Sequence, residues 1–467
     1  MSILDERGQV FGSQVPLLIV GAGACGLTAA LAASEQGAEV LILERDARPS
    51  GSTSLSSGFI PAADSRWQRE KGIEDSPQLF AADIQAKAKG KANRDLVQLT
   101  TKSAAPTLEW LADFHGIEFE LLEGFLYPGH SKLRMHAVRE HTGTSLLQQL
   151  HSASHQNELP LVCKATVSGL FVDEEMKVKG ARVSRTDGST ETIGCNAMIL
   201  ACNGYGGNPD LLNRFIPEIA DMNYFGHLGS QGEAVYWGEL LGAELRDMGA
   251  FQGHGSVAYP HGVLITWALM MEGGIQLNLE GKRFSNEHQG YSEQSVSVFA
   301  QPEHLAWNLY DLRLHQLGLN FEDYRNAEKI GAIHSAKNVK ELSLTTGFPE
   351  TALRETLRNV ESFQTGTEKD PFGRDFTTKP VLKPPYYTVR VTCAIFHTQG
   401  GLAVNDEARV LKKDGTPLPN LFAGGGAAQG VSGPAVWGYL SGNGLLTAFT
   451  LGRIAGSCAA QLVLGNQ

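Results

Sequence analysis

Apolar residues fall in short runs along this chain, and several of the runs break into glycine. Residues 16–20 (PLLIV) have the length and polarity of a buried parallel strand. GAGACG follows at 21–26, and TAALAASEQ then reads as a helix closed by Gly37. AEVLILE at 38–44 is a second buried strand, and it ends on Glu44. Two later runs repeat the strand-into-glycine pattern: AMILACNGYGGN (197–208) and NLFAGGGAAQG (420–430). Between about 305 and 365, LAWNLYDLRLHQLG, AEKIGAIHSA and ETALRETLRNVESFQ read as helices. TTKPVLKPPYYTVRV (377–391) carries helix-breaking prolines before a strand-like end.

The first of these patterns packs a strand, a glycine turn, a helix, a strand and a terminal acid into about 30 residues, which is a dinucleotide-binding unit. Gly21 permits the tight turn. Gly23 lets the backbone approach a pyrophosphate. Gly26 lets the helix pack close to the sheet. The helix N-terminus, from Ala24, offers N–H groups to phosphate, and Glu44 can accept from a ribose hydroxyl. After Glu44 comes RDARPSGSTSLSSGFIPA, rich in small residues. Three glycine-rich strand ends far apart in sequence imply a long cofactor touched by several segments, which favours FAD over NAD. The candidate cofactor contacts are therefore Gly21, Gly23, Ala24, Gly26, Glu44, Arg45, Ser52, Thr53, Ser57, Gly58, Ala165, Val167, Ala201, Asn203, Gly204 and Gly425.

Charge and cysteine content narrow the rest. A net charge of −11 argues against nucleic acid as a partner. The six cysteines form no CxxC pair, so a metal or iron–sulfur centre has no support, and free thiols in a reducing compartment are expected. No secretory signal is read at the N-terminus, and no apolar run reads as a membrane span; a cytoplasmic location is the expectation.

VGAGACGLTAALAA with LERD, ILACNGYGGN, NLEGKRFSNE, HTQGGLAVN, LFAGGGAAQG and GYLSGNGLLTAFTLGRIAG together resemble the fumarate reductase/succinate dehydrogenase flavoprotein superfamily, which includes 3-ketosteroid Δ1-dehydrogenases and cyclic-ketone desaturases. The resemblance covers nearly the whole chain. It implies an α/β fold: a Rossmann-like FAD-binding domain (1–250 and 396–467) interrupted by an α+β capping domain (251–395), with substrate expected at the domain interface. It also implies that the helix beginning near Gly444 points its N-terminus at the flavin, with Gly442 and the amides of Leu445 and Leu446 as contacts. Members that tether FAD do so through a histidine after the second strand. SGSTSLSSG here contains none, so non-covalent FAD is expected. Many members carry a glutamate in an AGE turn, where this chain reads AGGG (423–426).

Fumarate reductases place an arginine four residues before the Asn of GGNA, and this chain has Tyr439 there, counting back from Asn443. Ketosteroid dehydrogenases have a tyrosine at that position. By that match Tyr439 and the amide of Asn443 bind a ketone oxygen. Tyr291, four residues after Glu287, matches the tyrosine that acts as their base. His397 in HTQGG resembles a carboxylate-binding histidine of fumarate reductases; its alternative is a structural tie. Glu280 and Arg283 of EGKR are expected to form a salt bridge in the cap, with a proton relay to Tyr291 as the other reading. Trp267, Phe396 and Trp437 are candidate walls of an apolar pocket, and Tyr127, His130, Arg134 and His136 candidate neighbours of the site.

The expected activity is α,β-desaturation of a small cyclic ketone or keto acid, such as an oxocyclohexanecarboxylate, with an unknown electron acceptor. The alternatives are fumarate reductase-like reduction of an unsaturated acid, and an electron carrier without its own substrate.

Overall fold

Leu17, Leu18 and Ile19 have no exposed surface, because their strand is covered on both faces. In the computed structural model, which describes residues 1–465, that strand is Ser13–Val20. It pairs in parallel with Val40–Leu43 on one side and Thr190–Leu200 on the other. Pro417–Ala423 adds in parallel beyond Thr190–Leu200, so residues from both ends of the chain share one nine-stranded sheet. The strands Ala165–Val172 and Val178–Arg185 join it as an antiparallel pair.

Helix Ala24–Glu35 lies against helix Asn443–Gly465, and small residues set their separation. A Cβ at Gly452 would sit 2.6 Å from the Cys25 carbonyl oxygen, and one at Gly456 would sit 2.2 Å from that of Ala29. Helix Asn443–Gly465 is long and apolar enough to cross a membrane by length and composition, contrary to the expectation that no segment would be. It packs instead against Ala24–Glu35. All six cysteines are free thiols.

The chain divides into two compact units. The first contains Met1–Glu218, Gly226–Phe251 and the chain from His397; the second contains Ile219–Phe225 and Gln252–Phe396. Ile219–Phe225 joins the second unit although its sequence position suggests the first. Backbone bonds tie it there: Phe225 N–H donates to the Ile395 carbonyl at 2.7 Å, and Ile395 N–H to that of Asn223 at 2.8 Å.

The second unit is built on a six-stranded sheet, in which Leu305–Asp311 pairs antiparallel with both Tyr386–Thr398 and Ile275–Leu277. This corrects the reading of LAWNLYD as helix. All seven residues are buried. A central strand covered on both faces shows a continuous apolar run rather than alternation, and such a run is ambiguous in sequence. Asp311 ends the strand and caps the helix Leu312–Gly318 by accepting from Leu314 N–H at 3.2 Å. AEKIGAIHSA also divides, into the end of helix Glu322–Lys329 and the strand His334–Ala336. Helix Glu350–Gln364 lies where its periodicity puts it.

Candidate active site

The dinucleotide turn is shaped by what its glycines exclude. A Cβ at Gly21 (φ +109°) would lie 2.4 Å from the Ala201 carbonyl oxygen, and one at Gly26 would lie 1.8 Å from that of Gly21. Neither position admits a side chain. Gly23 is different: a Cβ there would meet only Thr53 Oγ1, at 3.4 Å, so the backbone is open on that side. Helix Ala24–Glu35 has no side-chain cap and no acid in its first turn. Its N-terminus is therefore ready for an anion. Glu44 is buried next to it and accepts from Ala22 N–H at 2.8 Å and Asp46 N–H at 2.9 Å, which aims the carboxylate. Ala24 N–H donates to Thr53 Oγ1 at 3.0 Å, and Asn203 Nδ2 to Ser52 Oγ at 2.7 Å. These residues fit a dinucleotide cofactor.

Other expected contacts take different places. Arg45 is ion-paired to Glu233 and donates to the Gly229 carbonyl, so its guanidinium is already committed. Gly58 (φ +73°) is required by the Thr142 backbone, 2.9 Å from a Cβ there. Ser57 is exposed, and Val167 is buried in its strand opposite Val183. Ala165 N–H donates to the Glu44 carbonyl. Gly204 and Gly425 sit in the glycine turns; Gly425 takes φ +57°, which disfavours a side chain there. Gly442 (φ +88°) packs against Pro61, 2.5 Å from a Cβ. Leu445 and Leu446 lie in the first turn of helix Asn443–Gly465. Leu446 N–H already donates to the Gly442 carbonyl at 2.9 Å, and Asn443 N–H to that of Leu440 at 3.1 Å. Both are thus corrected as donors to a bound molecule: helix and turn bonds use them.

In the first unit His397 and Tyr439 meet edge to face, with ring centroids 5.7 Å apart. The His397 ring retains some open surface, but protein atoms crowd its other sides. This desolvation outweighs a contact with the Thr398 carbonyl and lowers its pKa to about 4, so the ring is neutral. Behind it, Asn443 Nδ2 donates to Ser432 Oγ at 3.0 Å, and Ser432 donates to Gln399 Oε1 at 2.8 Å. Gln399 Nε2 then donates to His397 Nδ1 at 2.9 Å. Asn443 Oδ1 is buried without a partner.

In the second unit Tyr291 opens helix Tyr291–Phe299, directly after Gly290 at φ 133°. The Tyr291 ring stacks on His254, 4.9 Å between centroids and 20° between planes. Trp267 and Phe396 each approach His254 at 5.7 Å, which brings two of the three expected aromatics together. Trp437 belongs to the first unit, where it lies beneath Lys89. Burial lowers His254 to a pKa of about 3, and Ser256 N–H donates to its Nδ1 at 3.1 Å. His254 was not singled out in the sequence. GHGS carries no spacing that would have flagged it.

Two arginines of this unit, Arg283 and Arg374, are held in buried ion pairs. Arg283 pairs with Glu287 at 2.7 Å and with Asp370 at 2.5 Å, and Arg374 pairs with Glu287 at 3.0 Å. Burial alone would raise Glu287, but Arg283 and Arg374 outweigh it and hold its pKa near about 2. Glu280 is not the partner of Arg283; it pairs with Lys282 on the surface. In the first unit Arg134 is likewise buried between Asp75 and Asp83. His130 faces the Ser441 carbonyl at 3.0 Å and His136 faces Ser65 Oγ at 2.7 Å. Tyr127 packs on Phe59 and Phe125.

Comparison with known proteins agrees with this geometry. The FAD binding domain family matches residues 17–445. A probable fumarate reductase, Ifc3, of Shewanella frigidimarina is 27% identical over 453 residues, spanning 96% of this chain and 75% of that protein. The open conformation of a flavocytochrome c3 fumarate reductase superposes with a TM-score of 0.81 at 26% identity, covering 97% of this chain and 79% of the other. A 3-ketosteroid-Δ4-(5α)-dehydrogenase from Rhodococcus jostii RHA1 superposes with a TM-score of 0.79 at 21% identity, covering 98% and 100%, a likeness of fold. The chain belongs to the FAD binding domain family, within the fumarate reductase/succinate dehydrogenase flavoprotein superfamily, and is an FAD-dependent oxidoreductase acting on CH–CH groups.

Proposed function

We propose that this protein dehydrogenates the carbon–carbon bond next to a ketone, in a small cyclic ketone or keto acid. One observation carries the reading: the candidate side chains are uncharged, and the buried arginines are already neutralised. Tyr291, Tyr439 and two histidines held neutral by burial form the candidate groups. Arg134, Arg283 and Arg374 each have carboxylate partners. A dicarboxylate taken out of water needs cationic partners, whereas a ketone needs only hydrogen-bond donors.

Tyr291 is the base that takes the proton from the carbon α to the ketone. It lies at the start of helix Tyr291–Phe299 and its ring is held by stacking on His254. Tyr439 donates its hydroxyl to the ketone oxygen and stabilises the enolate-like charge that develops there. FAD, held without a covalent tether, supplies the acceptor for the hydride of the neighbouring carbon. The residues that hold it are Glu44, Thr53, Ser52 and Asn203, with the open backbone at Gly23.

The second reading, reduction of an unsaturated carboxylic acid, is favoured by the fumarate reductases among the relatives. Anaerobic titration of the yellow holoprotein separates the two. Bleaching of the flavin by 4-oxocyclohexanecarboxylate or cyclohexanone, absent with succinate and lost in Tyr291→Phe, is the expected result. No bleaching by any ketone, with fumarate reoxidising chemically reduced flavin, would overturn it.

A further inference from the structure

We infer that Gln399 is a positioning residue that locks His397 into one neutral tautomer, with its proton on Nε2, as a standing donor to an uncharged carbonyl oxygen. The inference rests on the ketone reading for the identity of that oxygen, but not for the tautomer.

The argument starts from what each group can do. An amide nitrogen only donates, so the 2.9 Å contact from Gln399 Nε2 makes His397 Nδ1 an acceptor. The Nδ1 contact with the Thr398 carbonyl is longer, at 3.3 Å. A neutral imidazole whose Nδ1 accepts carries its proton on Nε2. The Gln399 amide is in turn oriented, because Ser432 Oγ–H donates to its Oε1. Ser432 is oriented by Asn443 Nδ2. The bonds therefore run one way: Asn443 to Ser432 to Gln399 to His397. Gln399 and Ser432 are buried, and their backbones are pinned, with Gln399 N–H on the Ala250 carbonyl and Gly430 N–H on that of Gln399.

Protonating His397 would turn Nδ1 into a donor facing an amide N–H. The lock therefore opposes the imidazolium as well as the other tautomer. Few charges compete. Tyr439 is the titratable ring in contact. Asp247, on the segment against Gly400, gives its carboxylate to Gln429 Nε2 at 2.6 Å. Gly444 lies over the Nε2 edge: a Cβ there would be 3.0 Å from Nε2, so only glycine leaves that edge clear.

The test uses the holoprotein labelled with ¹⁵N-histidine, with His397 assigned by difference against His397→Gln. Ring-nitrogen spectra should show Nδ1 unprotonated and Nε2 protonated from pH 5 to 9, without titration. In Gln399→Glu the carboxylate should accept a hydrogen bond from a protonated Nδ1 and stabilise the imidazolium, so that His397 titrates within that range. Gln399→Leu should lose the tautomer preference and lower kcat on a ketone roughly tenfold, with KM moving less. A protonated Nδ1 in the unmodified protein, or a tautomer unchanged in Gln399→Leu, would overturn the inference. The spectra need no substrate. Failure of the ketone reading with the Nε2–H tautomer intact would therefore leave the lock standing and reassign only the oxygen it serves.

Discussion

His397 and His254 occupy different units, and both have Nδ1 turned toward a donor and a ring kept neutral by burial. The donors differ. At His254 it is the backbone N–H of Ser256, fixed by the strand itself. At His397 it is a side-chain amide held by two further side chains. Backbone donors survive most substitutions, whereas a side-chain relay can be rewritten by one. The histidine of the first unit is thus the tunable one. The second unit invests in the tyrosine beside its histidine and in the ion cluster that supports it.

The comparison breaks most sharply at Tyr291. Tyr291→Phe should slow flavin reduction by a ketone by roughly 10²–10⁴-fold while leaving the oxidised flavin spectrum intact. A loss under tenfold would move the base elsewhere.

Next come the two buried ion clusters. Arg374→Met leaves Glu287 with Arg283 alone, and Arg134→Met leaves Asp75 and Asp83 with no cation between them. Each should cost about 3–5 kcal/mol in denaturant unfolding. FAD release should accompany unfolding in the Arg134 variant first. Equal stability in either variant would show that its cluster is dispensable.

A smaller effect is expected where the two long helices meet. Gly456→Ala puts a methyl group against the Ala29 carbonyl and should cost about 1–3 kcal/mol, seen as a lower Tm and weaker FAD retention. An unchanged Tm would mean that the helices separate at little cost.

The smallest effect per group is the pH dependence. Burial lowers His130 and His136 to about 4 and His254 to about 3. In the unfolded chain they bind protons below about pH 6.5. The unfolded state therefore holds more protons in that window, and stability falls as pH drops from about 6.5 toward 4. The slope is up to about 1.4 kcal/mol per pH unit per histidine. His130→Leu and His136→Leu should flatten the curve for the first unit, and a flat wild-type curve from pH 7 to 5 would refute the assignment.

How much of this could be read from the sequence follows from which part of the chain does the work. The nucleotide turn rests on the backbone, where Gly21 and Gly26 are required by carbonyl oxygens a Cβ would strike, so the glycines stand out at fixed spacing. Tyr291 and Tyr439 were singled out through the motifs that flank them, and each meets a histidine ring. His254 was not, because its role comes from a ring stacked across 37 residues of sequence, with no local spacing to mark it. Leu305–Asp311 was misread because a strand buried on both faces loses the alternation that identifies strands. Of the two partners of Arg283, Asp370 was out of reach of sequence reasoning because it comes from 87 residues away, whereas Glu287 lies only four residues on. The amides of Asn443 and Leu446 were misjudged because no sequence shows where a turn spends its N–H groups.

The sheet that carries the nucleotide turn draws its strands from residues 13–20 and 417–423, and helix Ala24–Glu35 rests on helix Asn443–Gly465. During synthesis, helix Ala24–Glu35 is made some four hundred residues before helix Asn443–Gly465, on which it packs. Strand Ser13–Val20 can pair earlier, with Val40–Leu43 and then Thr190–Leu200, but the helix face that Asn443–Gly465 covers stays open until then and needs shielding from other chains. Retention of FAD should therefore report the docking of helix Asn443–Gly465 on helix Ala24–Glu35.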